Sequence, residues 1–479
     1  MKHKNNAKTR CRIIVTALAA IGVMASSALG QVTNAPAADP LAAFKTDKGL
    51  ISLTKATPEM TPVSDYTGEF WRRATLLGDP GGWRSLFYDD GLTLDAQLTQ
   101  VYQGVASGGS ANGHGHAQYN GLFEANVTLD TAKAGLWSGG LIVLTTQSSF
   151  GHPLKNQPGN LSPVNATALW PRSYKDSTEL MEYHLIQALP LNTVAIVGRL
   201  DPSNYLDQNS FSCTSDSQFL NVSMNSNPLF GVFLSYSTYA TIFMTKVTDD
   251  LTLAYGVWTP NTQPGDYGGN WDDYGAAIYP IFKYRAFNHP GMIQAIAAYT
   301  SKDAVAVDNP HLLEGLATGV LPTKPDNWIV ELSGEQYFWE PKGASMPQAE
   351  GGRNEDYQVA TKDFASEQPG AGVFYRFSYV PENRIAYNVY LSGGVGGRGV
   401  IPRRPYDRFG VGGYWLKESS DLNNQPGISL RDETGTEAFY NLAITPFVQL
   451  SFDVQWIVSP GKRSSDGAVV LGTRLNTRF

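Results

Sequence analysis

From Leu92 the chain alternates strictly, with Leu92, Leu94, Ala96 and Leu98 on one side and Thr93, Asp95, Gln97 and Thr99 on the other. Successive side chains of an extended strand point to opposite faces, so the pattern predicts a strand with one apolar and one wet face. The period returns at Phe123, Ala125, Val127 and Leu129, set against Glu124, Asn126, Thr128 and Asp130. It is cleanest near the end, where Val448, Leu450, Phe452, Val454 and Trp456 oppose Gln449, Ser451, Asp453 and Gln455. Candidate strands fall at 92–104, 120–130, 139–149, 179–189, 193–201, 237–247, 250–258, 274–286, 291–301, 326–338, 370–380, 384–394, 406–417, 434–445, 447–457 and 468–479. Few stretches repeat apolar residues at helical spacing; residues 71–90 are the exception and predict a short amphipathic helix ahead of the first strand.

A soluble sandwich alternates as well. What favours a membrane barrel is the number of long strands with Tyr and Trp near their ends, the pattern of aromatic girdles at the two membrane interfaces. A hydrophobic fraction of 42% fits, because a wall between lipid and water needs apolar residues only at alternate positions. The expected fold is therefore all-β: a transmembrane antiparallel β-barrel of the outer-membrane type with 16 strands. One irregularity stands against it. Short turns such as Thr248-Asp249 and Thr445-Pro446 should alternate with long loops, yet the long stretch 339–369 and the short Pro381-Glu382-Asn383 fall out of phase. That conflict predicts a misread strand between 302 and 433.

The termini add a destination. Lys2, Lys4, Lys8, Arg10 and Arg12 precede an apolar run from Ile13 to Met24 and small residues ending at Gly30, the layout of a secretory signal peptide. The expected organisation is a signal peptide over 1–30, a periplasmic leader over 31–90 and the barrel over 91–479. No later run of about eighteen apolar residues follows, so a membrane could be crossed only by a closed barrel. Without residues 1–30 the chain keeps 31 Lys and Arg against 43 Asp and Glu, which speaks against nucleic-acid binding. Of the two cysteines only Cys213 lies beyond the signal, so no intramolecular disulfide is expected. At the C-terminus Val469, Leu471, Thr473, Leu475 and Thr477 share a face ahead of the terminal Phe479. Such an ending resembles the recognition signal of bacterial outer-membrane proteins. It makes Phe479 the assembly signal, with the barrel assembly machinery, membrane lipid and lipopolysaccharide as partners.

Several motifs resemble the carbohydrate-selective porin family (OprB type). They are Gly198-Arg199-Leu200-Asp201 followed by Asp207, Asn209, Phe211 and Gln218-Phe219-Leu220-Asn221, then Gly399-Val400-Ile401-Pro402-Arg403-Arg404-Pro405-Tyr406-Asp407. Tyr440, Thr445-Pro446, Asp453-Val454-Gln455 and Pro460-Gly461 match the family's C-terminal block. The family carries Lys at the position of Arg199, Gly at that of Arg403 and Asp at that of Tyr406; its Trp-Gly-Gly-Leu-Arg stands here as Pro80-Gly81-Gly82-Trp83-Arg84. The resemblance runs in one order from about residue 75 to 479. It implies passive diffusion of carbohydrates, monosaccharides such as glucose, and other small polar solutes through the outer membrane.

A neutral sugar crosses such a wall by exchanging hydration hydrogen bonds for weak bonds to side chains. Arginine offers several donors in a rigid fork, and carboxylates and amides accept from hydroxyls. Alternation places Asp95, Glu124, Arg199, Asp453, Gln455 and Arg474 toward the lumen, and Asp201 joins them from its motif. Arg403 and Arg404 fall in a connection that could fold into the constriction or line a mouth. A solvated lumen charge paired with a neighbour is the plain alternative for each. Trp258, Trp271 and Tyr267 could stack on sugar faces, or serve the interface girdle.

Other functions leave weaker traces. Glu331 and Glu335 could be the carboxyl pair of a secreted β-rich glycoside hydrolase, but their spacing puts both on one strand face, as a lumen lining also would. His114-Gly115-His116 is not followed by further ligands at metal spacing, so neither metal nor cofactor is expected. No Gly-x-Ser-x-Gly elbow follows a strand, so no enzyme is predicted. Within the pore class the alternative is a general or anion-preferring porin, and the pattern does not distinguish monomer from homo-oligomer.

Overall fold

The computed structural model describes residues 68–110, 117–155, 157–268, 271–341 and 369–479. Sixteen strands form one closed antiparallel barrel. They are β1 Leu92–Gly109, β2 Ala117–Asp130, β3 Gly140–Gly151, β4 Ser177–Leu189, β5 Thr193–Leu200, β6 Thr238–Lys246, β7 Leu251–Trp258 and β8 Gly275–Ala286, then β9 His289–Thr300, β10 Asn327–Trp339, β11 Gly370–Tyr379, β12 Tyr387–Arg398, β13 Arg408–Glu418, β14 Glu433–Thr445, β15 Val448–Ser459 and β16 Asp466–Arg478. Each predicted segment overlaps one of them. Among the described residues no helix is long and apolar enough to cross a membrane. A short helix, α1 Trp83–Asp89, precedes β1.

Every strand pairs with its neighbour in sequence, and β1 closes on β16 with Gln97 opposite Arg478 and Val105 opposite Val470. Closure removes the free edges that an open sheet would leave. The alternation reads directly as burial on β15, where Phe452, Val454, Trp456 and Val458 are exposed on the lipid side while Ser451, Asp453, Gln455 and Ile457 are buried inside. The strand register corrects one expectation. No strand between 302 and 433 was misread: β10 to β13 stand where the pattern put them, and the long connection after Trp339 leaves from the end of the barrel that carries its first and last residues. Short turns at that end are a tendency of barrels, and one long insertion there changes neither strand count nor direction.

The interior is unevenly filled. β5, β6 and β7 have only 8, 9 and 8 residues against 18 in β1, and the connection 201–237 after β5 folds inward. Inward residues Leu141, Ile186, Ile196, Ile242, Tyr279, Ile296 and Phe374 form one buried cluster with Tyr205, Phe211, Phe219, Met224, Leu229 and Phe230 of that loop. Glycines make room for the rings: a Cβ at Gly372 would stand 2.7 Å from the Phe211 ring, and one at Gly410 2.7 Å from the Phe219 ring. Burial of these side chains, each about 1.5–3 kcal/mol, holds the loop down.

Candidate functional site: the barrel interior

Two loops fold into the lumen, 157–176 ahead of β4 and 201–237 after β5, and they bond to each other. Ala166 N donates to Leu220 O at 2.7 Å and Val222 N to Pro163 O at 2.9 Å. The Ser162 and Ser223 hydroxyls share a bond of 2.6 Å. A loop inside a barrel carries backbone groups that strand pairing cannot satisfy, so the wall must supply partners. It does so with buried carboxylates. Glu335 accepts from Ser210 N at 2.5 Å and its hydroxyl at 2.7 Å. Glu437 accepts from Leu220 N and Asn221 N at 2.5 and 3.0 Å, and Glu433 from Leu161 N and Ser162 N at 2.6 and 3.1 Å.

Arginine answers the loop carbonyls. Arg376, 1% exposed, donates to Asp207 at 2.5 Å and also bonds to Ser212 O and Asn225 O. Arg474 donates to Ser215 O at 2.8 Å and to the Ser451 hydroxyl at 2.7 Å. Amides complete the frame: Asn227 reaches Glu331 at 2.5 Å and Ser378 at 2.9 Å, and Gln455 reaches Val164 O at 2.8 Å. The family-like segment from Asp207 to Asn221 is thus the tip of the inward loop and its fastenings.

Among the described residues a cavity of about 640 Å³ lies between the inward loops and a stretch of wall built from β12, β13, β16, β1 and β2. One part of its lining is rich in acceptors and amides: Asp95, Gln97, Glu124, Asn126 and, from the loop, Asp201. Glu124 sits among amides, accepting from Gln147 at 2.5 Å, Gln97 at 3.3 Å and Asn126 at 3.4 Å. Asp201 caps the turn that starts the loop, accepting from Ser203 N at 2.9 Å. Another part is basic, with Arg398, Arg408 and Arg478 lining the same cavity. Arg398 and Arg408 are direct cross-strand neighbours, so two like charges share one stretch of wall. Asp216, at the loop tip, lies in their field. Its low-dielectric surroundings oppose its charge, but the guanidinium groups of Arg478, Arg408 and Arg474 and a bond from the Ser217 hydroxyl hold its carboxyl below the ordinary value.

The sequence-predicted residues separate into three groups. Asp95, Glu124 and Asp201 line the cavity. Asp453, Gln455 and Arg474 face inward but are covered by the loops, and none is more than 2% exposed. Arg199, Arg403 and Arg404 lie outside the lumen. Arg199 is a correction: it is opposite Tyr183 and Tyr239 on the outward face that also carries Val197, and Gln263, Asp266 and Tyr267 of the connection after β7 lie over it. Its guanidinium donates to the Ser237 hydroxyl at 2.6 Å, to Gln263 O at 2.6 Å and to Asp266 O. The inward positions of β5 are apolar because they meet the loop, which reverses the usual sign of the alternation. Arg404 is a second correction. It pairs with Asp407 at 2.8 Å in the turn before β13, and Asp407 also accepts from Tyr440 on the outward face, so the pair braces that turn from outside. Arg403 is exposed in the same turn.

Other expectations resolve similarly. Trp258 donates to Phe233 O at 2.9 Å beneath the loop, Tyr267 lies over Arg199, and Trp271 stacks on Tyr239. The His114-Gly115-His116 stretch lies outside the described residues. Sequence reasoning left Arg398, Arg408, Arg478 and Asp216 out of the site. The signal was present for Arg408 and Arg478, which fall on the inward parity of β13 and β16.

The family model described as "Carbohydrate-selective porin, OprB family" matches residues 114–479. No curated protein matches. A high-pH structure of Pseudomonas putida OprB is 18% identical, with a TM-score of 0.69, covering 86% of this chain and 100% of that one. A low-pH structure of the same protein is 13% identical, with a TM-score of 0.49, covering 85% and 99%. Salmonella typhi OmpF is 8% identical, with a TM-score of 0.45, covering 82% and 99%.

Proposed function

The chain belongs to the carbohydrate-selective porin, OprB family, and from that premise we propose that its passage selects monosaccharide-sized sugars by trading their hydration for an acceptor set and a donor set that line one cavity. It is an outer-membrane porin for carbohydrates, and its family and fold are those of channels. The observation that carries the finer reading is that Asp95, Glu124 and Asp201 line the same cavity as Arg398, Arg408 and Arg478. Sugar hydroxyls both donate and accept, so a wall offering carboxylates and guanidinium groups together can replace both halves of the hydration shell. Each bond is exchanged against water, so its net strength is small and the sugar leaves easily. Glu331 and Glu335, the carboxylates a hydrolase would need, are engaged with Asn227 and Ser210, which supports passage without any covalent step.

The remaining parts of the reading concern delivery. Residues 1–30 act as the signal peptide, and the strand ending in Phe479 is read by the barrel assembly machinery. Lipopolysaccharide faces the loop end, and the short turns face the periplasm.

Single-channel recording in a planar bilayer tests the passage. Arg408→Ala and Arg478→Ala should each weaken glucose block by about 1 kcal/mol, about fivefold, and shift ion preference toward cations. Unchanged block and unchanged reversal potential in both variants would sink the reading. The arginine set also favours a second outcome, an anion-preferring pore, which would show as a strong anion reversal potential without glucose block.

A further inference from the structure

The helix ahead of the barrel divides its surface three ways. At about 100° per residue, Trp83, Leu86 and Phe87 share one face of α1, Arg84 and Tyr88 a second, and Ser85 and Asp89 a third. The second face is buried against protein. Arg84 donates to Leu94 O at 2.7 Å and to Phe479 O at 3.1 Å, and Lys133 lies 4.0 Å from the Tyr88 ring centre. The first face is open, with Trp83 40%, Leu86 65% and Phe87 43% exposed. Tight turns at Gly81 and Gly82, with φ of 71° and 77°, set the helix in this orientation.

Its position explains what the open face meets. The β1–β16 pairing begins at Gln97–Arg478, so Leu92 to Ala96 run on past the end of the last strand. Arg84 fastens α1 to that overhang and to the last residue, at the end of the barrel where β16 stops. Exposed apolar side chains extend from it to both sides along the same rim. Phe70 lies against Phe447 of the β14–β15 turn with the rings 5.3 Å apart, Trp71 packs edge-on against Phe70, and Ile444 near the end of β14 is exposed. Leu136 and Trp137 stand exposed in the β2–β3 turn, next to Lys133. The open face of α1 thus lies at the same end of the barrel as these exposed aromatic and aliphatic side chains.

We propose that α1 is an interfacial membrane anchor: Trp83, Leu86 and Phe87 enter the headgroup and acyl boundary of the periplasmic leaflet, completing the aromatic girdle at the seam between β1 and β16. Arg84 is the positioning residue that joins anchor and seam. Ser85 and Asp89 face the aqueous side.

Site-directed spin labelling of the full mature chain, with Cys213→Ser as background and phosphatidylethanolamine–phosphatidylglycerol vesicles as the membrane, tests this. Leu86→Cys is compared with Asp89→Cys on the same helix and with Leu471→Cys, which is 49% exposed on the lipid side of β16. Heat-modifiable migration confirms that each labelled barrel is folded. The expected result is that the label at 86 collides with oxygen rather than with a water-soluble nickel complex, as the label at 471 does, and that the label at 89 shows the reverse. A label at 86 that prefers nickel overturns the proposal. So does one shielded from both reagents, because a second copy or the preceding chain would then cover this face.

Discussion

The two sides of the barrel interior obey one strand rule and reach opposite ends. On the β3–β11 side, inward positions such as Ile186, Ile242, Ile296 and Phe374 pack dry against the loop 201–237. On the β1–β2 side, inward Asp95, Gln97, Glu124 and Asn126 face the cavity. A lumen residue is therefore not by default a pore residue. Buried Glu335, Glu437 and Arg376 are as inward as Glu124, yet each is spent on loop backbone or loop side chains. The loop is a folded core on one side and the wall of a cavity on the other.

The largest effect that would break this contrast is expected from Arg376→Ala. The change leaves Asp207 and several loop carbonyls without their partner in a dry environment, a loss of about 3–5 kcal/mol for a broken buried pair. Conductance should rise and become noisy as the loop detaches, and the barrel should convert to its unfolded gel form at lower temperature. A variant with native conductance and thermal behaviour would mean that apolar packing alone holds the loop.

Arg199→Ala should have a smaller effect and separate the outside of the wall from the passage. Loss of charged bonds to Ser237, Gln263 and Asp266 should cost on the order of 2 kcal/mol, read as earlier thermal conversion, while glucose block stays at the wild-type level. A weakened block with unchanged stability would return Arg199 to the pore.

Asp216→Asn sharpens the contrast at the cavity itself. The change removes an acid from among arginines and should move the reversal potential toward anions at neutral pH by an amount worth less than about 1 kcal/mol. The sign of the pH dependence follows from its lowered carboxyl: the charge, and the stability it contributes, is in force above the ordinary value of 3.8 and fades only as pH falls through the lower folded value. The difference between wild type and variant should therefore persist on titration from neutrality to 3.8 and close only below that. Convergence of the two near neutral pH would show that Asp216 is not held ionised by the arginines. The smallest effect is expected for Arg404→Ala, whose partly exposed pair with Asp407 should contribute under about 1 kcal/mol and leave block and ion preference unchanged.

Much of the site was legible where local pattern suffices. Asp95 and Glu124 were placed toward the lumen because their strands alternate with polar residues inside, and the same parity places Arg478 there. Arg199 was misplaced because Ile196 and Leu200, apolar by sequence, point inward to the loop rather than outward to lipid. Arg404 was misplaced because its partner Asp407, three residues on, turns it to the outer face.

The sequence by itself determined sixteen strands, their order, the closing strand and the two faces of most of them. Period-two alternation is a property of the extended backbone and needs no distant partner. Only the tertiary structure decided which inward residues meet water and which meet protein. That depends on where the connection 201–237 lies, and its place is set by contacts between residues far apart in the chain, such as Ser210 with Glu335 and Leu220 with Glu437. Local pattern can announce a buried carboxylate, but whether it faces a sugar or a loop amide is fixed by what the fold brings against it.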